Sequence, residues 1–154
     1  MANIEKLTKN EELELEKEKE MIMTEEEIIS ILAEERSLPT RDVLIKRLGL
    51  VITLRALTEK DISKTRKDCT HEKKARGGRK EKEFDDEEFN IALIEKSAIK
   101  PDFNNPKLLK ALSLSGGQEV IRRKFLAGEM AQLGENVLEL SGFDDELEDV
   151  TVKN

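Results

Sequence analysis

Residues able to do chemistry are few in this chain, and none sits in a catalytic pattern. Cys69 is the only cysteine and His71 the only histidine. One such pair cannot close a tetrahedral zinc site. A cysteine–histidine nucleophile is formally available, but no supporting signature surrounds it. Cys69 follows Ile62 at helical spacing, which predicts a place on the apolar face of a helix, with His71 exposed at the helix end. The acidic run Asp85-Asp86-Glu87-Glu88 lacks the alternating oxygen ligands and central glycine of a calcium loop, and helix capping explains it more simply. Gly77-Gly78 and Gly116-Gly117 are not followed by the Lys-Ser/Thr of a phosphate loop. No catalytic residue, metal ligand or cofactor site is expected, and the chain reads as a non-enzyme.

The remaining chemical candidate is basic. Lys73, Lys74, Arg76, Arg79 and Lys80 flank the first glycine pair and could grip phosphate or an acidic peptide. No aromatic is interleaved for base stacking. The stretch is expected to be a flexible, solvated loop, and a small nucleic-acid-binding regulator is the weakest functional reading.

Charge is segregated along the chain. The net charge is −7 and 40% of residues are charged. Residues 11–35 hold eleven acids against Lys17 and Lys19, and residues 144–149 hold five acids and no base. Such a balance disfavours general nucleic-acid binding, which depends on phosphate contacts. A lone cysteine fits a reducing cytoplasm. With no basic-then-apolar leader and no apolar run near about twenty residues, neither secretion nor a membrane span is expected.

The elements that would position these residues announce themselves by their starts. Thr24, Thr58 and Asp85 each precede an acid at the third helical position, with apolar staple pairs Met23/Ile28, Leu57/Ile62 and Phe84/Phe89. Asn105-Pro106 opens a short helix with proline at its first position. Residues 41–57 are rich in Val, Ile and Leu around Gly49 and predict two strands, about 42–47 and 51–57, with a helix through the segment as the competing reading, because short apolar runs fit both. After Gly116-Gly117 the spacing predicts one long amphipathic helix, closed by Ser141-Gly142-Phe143 with Gly142 in the left-handed position. Its stripe is Leu126, Met130, Leu133, Val137 and Leu140, flattened by Ala127, Gly128, Ala131 and Gly134. Most of that face is expected to be core, with a fringe left for a partner.

These readings combine into a mainly α fold of about five helices with a small two-stranded antiparallel hairpin near residues 42–57. The domain expectation is a charged, flexible tail over 1–23, one mostly helical domain over 24–143, and an acidic flexible tail over 144–154.

Residues 41–143 then resemble the XkdN-like tail assembly chaperones of phages and defective prophages of Gram-positive bacteria. The resemblance rests on the order and spacing of Pro101-Asp102-Phe103, Asn105-Pro106, Leu126-Ala127-Gly128-Glu129 and Ser141-Gly142-Phe143. It implies a non-enzymatic cytoplasmic chaperone that binds the tape measure protein, with tail tube subunits as a second partner and self-association left open. Phe103, Leu126, Met130, Leu133 and Phe143 are the candidate partner contacts. The rival reading is a structural tail or baseplate component retained in the particle.

Overall fold

A computed structural model describes residues 22–143 and Leu147. The tails expected at 1–23 and 144–154 lie, apart from Ile22, Met23 and Leu147, outside the described residues. The described chain falls into two units, one within residues 1–37 that also takes in Leu147, and one from Leu38 to Asp145.

In the first unit, helix α1 spans Glu25–Ala33. The Thr24 hydroxyl accepts the Glu27 N–H at 3.2 Å, and Glu25, Glu26 and Glu27 fill the first turn, where the helix dipole favours negative charge. No residue of α1 is buried.

The second unit begins with a hairpin, β1 (Thr40–Ile45) and β2 (Leu50–Arg55). Its register pairs Val43 with Ile52 and Ile45 with Leu50, placing these four on one face, and Leu44 with Val51 on the other. Residues 46–49 make the turn. Thr58 then starts α2 (Glu59–Asp68) with a reciprocal capping box to Asp61. A second hairpin follows, β3 (Thr70–Lys74) and β4 (Lys80–Phe84), paired from Thr70↔Phe84 to Lys74↔Lys80. Asp85 caps α3 (Asp86–Ser97), which runs directly into β5 (Ala98–Lys100). Three short-to-medium helices complete the unit: α4 (Pro106–Leu112), α5 (Gly117–Lys124) and α6 (Ala127–Leu140).

The mainly α expectation is therefore corrected. Among the described residues there are six helices, about half of the chain, and 20% strand in two sheets, an α/β fold. One sheet is three-stranded with order β1-β2-β5, and the other is the β3–β4 pair. The expected hairpin is present, but β5 pairs antiparallel on its open side, with Ala98 opposite Leu54 and Lys100 opposite Thr53. The Ser97 hydroxyl, fully buried, donates to the Arg55 carbonyl at 2.6 Å and ties the end of α3 to that edge.

A second correction concerns the basic stretch, of which only residues 75–79 form a loop, while Lys73, Lys74 and Lys80 lie in paired strands. Both strands mix charges of opposite sign, and diagonal neighbours pair: Lys73 meets Glu83 at 3.4 Å and Lys80 meets Glu72 at 3.9 Å, although Lys74 stands directly opposite Lys80. The Asp85 N–H donates to the Cys69 carbonyl and closes the base of the hairpin.

A third correction divides the expected long helix. The chain leaves the helix at Phe125 and Leu126, both extended, and restarts at Ala127. Phe125 turns inward and is 5% exposed, packing edge-on against Phe103 at 5.8 Å between ring centroids. Core burial of Phe125 thus competes successfully with helix continuation.

Helix α3 lies at the centre of this unit. Ile91, Leu93 and Ile94 are all buried, facing more than one side, as expected of a helix covered around much of its girth. It packs against α2, α5 and α6 and beneath β2. Ile52 and Leu54 enter the same core from the sheet, Ile62 from α2, Ile121 from α5, and Leu133 and Val137 from α6.

Candidate docking groove

The feature of unit 38–145 best suited to hold a partner is an apolar groove of about 260 Å³. Its floor is Phe103, Val120 and Phe125, each at most 5% exposed. Leu108 and Leu112, one turn apart on α4, form one wall, and Lys124 on α5 and Pro101 border it. Leu48, 43% exposed, and Leu50 close it from the first hairpin.

Each wall is held by a specific polar contact. Asn105 accepts the Lys107 N–H at 2.9 Å and starts α4, whose Pro106 fills the first position. The Asn104 side-chain oxygen accepts the Gly117 N–H at 2.9 Å and so anchors the start of α5. A Cβ on Gly117 would press on Phe103 and Asn104. Glu95, on α3, faces the same helix start. Burial pushes its carboxyl above the ordinary range, against the opposing pull of Gln118 and Asn104, while Asp102 adds to the rise.

Arg47 fastens the hairpin end of the groove. Its guanidinium donates to the Lys124 carbonyl at 2.8 Å and to the Glu129 carboxylate at 2.8 Å. Glu129 also accepts the Leu126 N–H at 2.8 Å, supplying half of a capping box for α6, since leucine has no acceptor to return. The hydrogen bond to Arg47 is the main cause that holds the Glu129 carboxyl below its ordinary range and raises Arg47.

The residues expected to contact a partner are not brought together. Phe103 is the groove floor, and Leu133 is 1% exposed in the core. Met130 is half-buried, and its carbonyl accepts an Asn90 N–H at 3.0 Å. Leu126 stands 56% exposed at the start of α6, outside the buried stripe. Phe143 is 60% exposed at the far end of α6. It borders a separate recess of about 250 Å³ with Leu57, Ile62, Arg66 and Ser141. Lys73, Lys74, Arg76, Arg79 and Lys80 gather on the β3–β4 hairpin among Glu72, Glu81 and Glu83, a mixture that dilutes any phosphate-binding field.

The walls of the groove were missed from sequence. Leu108 and Leu112 do show helical spacing, but Leu48, Pro101 and Phe125 come from three distant segments. Only the fold joins them.

The cysteine and histidine also find structural places. Cys69 is 2% exposed at the end of α2, and burial first, then Glu88, Asp68 and Asp85, raise its thiol above the ordinary value. That works against the thiolate a nucleophile requires. His71 lies in β3 and meets the Glu88 carboxylate at 2.6 Å, which raises its pKa. No helix among the described residues is long and apolar enough to cross a membrane.

Comparison with known proteins places the chain in a family. A model of the phage XkdN-like tail assembly chaperone proteins matches residues 20–154. The phage-like element PBSX protein XkdN of Bacillus subtilis strain 168 is 31% identical over 124 residues, spanning 79% of this chain and 84% of that protein. The uncharacterized protein YqbN of the same strain is 29% identical over 124 residues, 79% of this chain and 83% of that protein. A crystal structure of YqbN shares the fold with a TM-score of 0.56 at 19% identity, covering 75% of this chain and 95% of that one. The chain belongs to the phage XkdN-like tail assembly chaperone family.

Proposed function

We propose that this protein binds the tape measure protein during tail assembly, keeps it soluble without catalysis, nucleotide or metal, and is absent from the finished tail. Tail tube subunits are a second partner of the same kind. The observation that supports this is the groove: a fully apolar concavity on a chain in which 40% of residues are charged. A soluble protein keeps such a surface where something is to be bound. The half-exposed leucines of its walls can be covered and uncovered without unfolding the core beneath them. Assembly takes place in the host cytoplasm.

Purified tails test the proposal. Quantitative mass spectrometry should find the tape measure protein in them and this chain absent or far below one copy per tape measure protein. Stoichiometric retention in washed particles would assign it instead as a structural component.

A further inference from the structure

The geometry points to an acidic amphipathic helix as the segment that the Phe103–Phe125 groove recognises. This inference rests on the tail-chaperone reading and adds to it the chemistry of the bound partner.

The groove is apolar within and basic around. Segments 46–50, 100–112 and 119–125, which build its walls, carry eight Lys or Arg against two acids, in a chain whose net charge is −7; with Arg47 neutralised by Glu129, seven bases remain against those two acids. Lys124 lines the groove itself, and Arg122 and Arg123 precede it in the last turn of α5. All three are exposed. The negative end of the α5 dipole explains part of this placement, and the Glu129 pair explains Arg47, but neither accounts for Lys46, Lys107 and Lys110. A basic rim around an apolar floor favours a partner that is apolar on one face and acidic beside it.

The size of the groove indicates how much of the partner enters. At about 260 Å³ it is smaller than the roughly 300–1,000 Å³ typical of small-molecule sites. It has room for a pair of large apolar side chains and not for a whole helix. Anchors four residues apart on one helical face, laid across Leu108 and Leu112, match that space. Acidic residues one turn away would then reach Arg123 and Lys124. The partner helix is therefore marked by two apolar anchors flanked by Asp or Glu.

The test uses the full chain and overlapping peptides of about 20 residues, between five and six helical turns, covering the tape measure protein of the same phage or prophage. Binding is read by fluorescence anisotropy at low and high salt. The peptides that bind should be acidic with apolar residues at helical spacing. Leu108→Glu with Leu112→Glu should abolish their binding. Arg123→Glu with Lys124→Glu, at exposed positions, should weaken it about tenfold at low salt, and the difference should shrink as salt screens the charges. Circular dichroism of both variants should match the wild type, with a lowered but cooperative melting transition, because Leu108 and Leu112 pack in part on the core and acids replace bases at the end of α5. Selection of neutral or basic peptides, or unchanged affinity in both folded variants, overturns the inference. A wild-type dimer converted to monomer by Leu108→Glu with Leu112→Glu would also overturn it, by giving the groove to a second copy. If the intact tape measure protein co-purifies while no peptide binds, this inference falls and the chaperone reading stands. If the intact protein does not co-purify, the chaperone reading falls.

Discussion

The side-chain amide of Asn90 occupies the space that a side chain on Gly134 would need. Asn90 projects from α3 onto α6, and its Nδ2 donates to the Met130 carbonyl at 3.0 Å, bridging the two helices at the point where Gly134 lets them approach. A Cβ at Gly134 would fall well inside van der Waals contact with the Asn90 amide. The glycine is therefore there for packing and not for backbone freedom.

Gly134→Ala should destabilise the protein by about 1–3 kcal/mol, the usual cost of overpacking, even though alanine is about 1 kcal/mol the better helix former. Asn90→Ala should lose the bridge to Met130. The two changes together should cost less than their sum, because alanine at 90 vacates the space. Urea denaturation of the four proteins measures this cycle, and strict additivity would show that the clash is relieved elsewhere.

The stripe on α6 divides into buried and exposed members. Leu133 and Val137 are at most 1% exposed, whereas Leu126 is 56% exposed. Leu133→Ala should cost about 2–5 kcal/mol, and Leu126→Ala should change stability by less than about 0.5 kcal/mol. Thermal melting separates the two. An unchanged melting temperature for Leu133→Ala would mean that the face is not core.

The local starts of this fold were readable because capping is a local interaction. Thr24, Thr58, Asp85 and Asn105 each cap the helix their sequence announces. The stop was readable too, since the Gly142 and Phe143 amides return to the Glu139 and Leu138 carbonyls as a left-handed glycine cap requires. The β3–β4 hairpin was missed because its strands are charged on both faces and show no apolar alternation. The available signal was Gly77-Gly78, a pair that itself favours a tight turn, with mixed-sign runs farther out at Glu72-Lys73 and Lys80-Glu81-Lys82-Glu83. β5 was illegible, because three residues become a strand only by meeting β2. The break at Leu126 was also hidden. Its one trace is Glu129 three residues on, and the decisive forces, Phe125 burial and the Arg47 clamp, are tertiary. The groove needed all of these, so it could not be read from any one segment.

Glu95 gives the protein a pH signature. Its carboxyl is raised by burial, so the folded state holds a proton that the unfolded chain releases near about pH 4.3. Between that value and the raised one the folded state binds more protons, and stability falls as pH rises. Glu95→Gln removes this term. Asp61, Glu119 and Glu129 are all lowered and act in the opposite sense, losing their contribution as pH falls through their folded values. They are common to both proteins and cancel in the comparison. The stability of Glu95→Gln relative to wild type should therefore climb with pH through that window and then level off. A difference independent of pH from acid to neutral conditions would contradict it.

Arg47→Ala should loosen the joint between the first hairpin and the start of α6. The lost contacts are those to the Lys124 carbonyl and Glu129, at the protein surface. Global stability should stay close to wild type, while amide exchange quickens locally at Leu48, Gly49 and Leu126. Exchange mapped by mass spectrometry reads this directly, and unchanged protection at Leu126 would show that Glu129 holds the cap alone.

Co-expression with the tape measure protein of the same phage or prophage reaches the central claim most directly. That protein should be insoluble alone, soluble and co-purifying with the wild-type chain, and insoluble again when the chain carries Leu108→Glu and Leu112→Glu. A tape measure protein equally soluble with and without this chain, and not retained by it on purification, would contradict the claim.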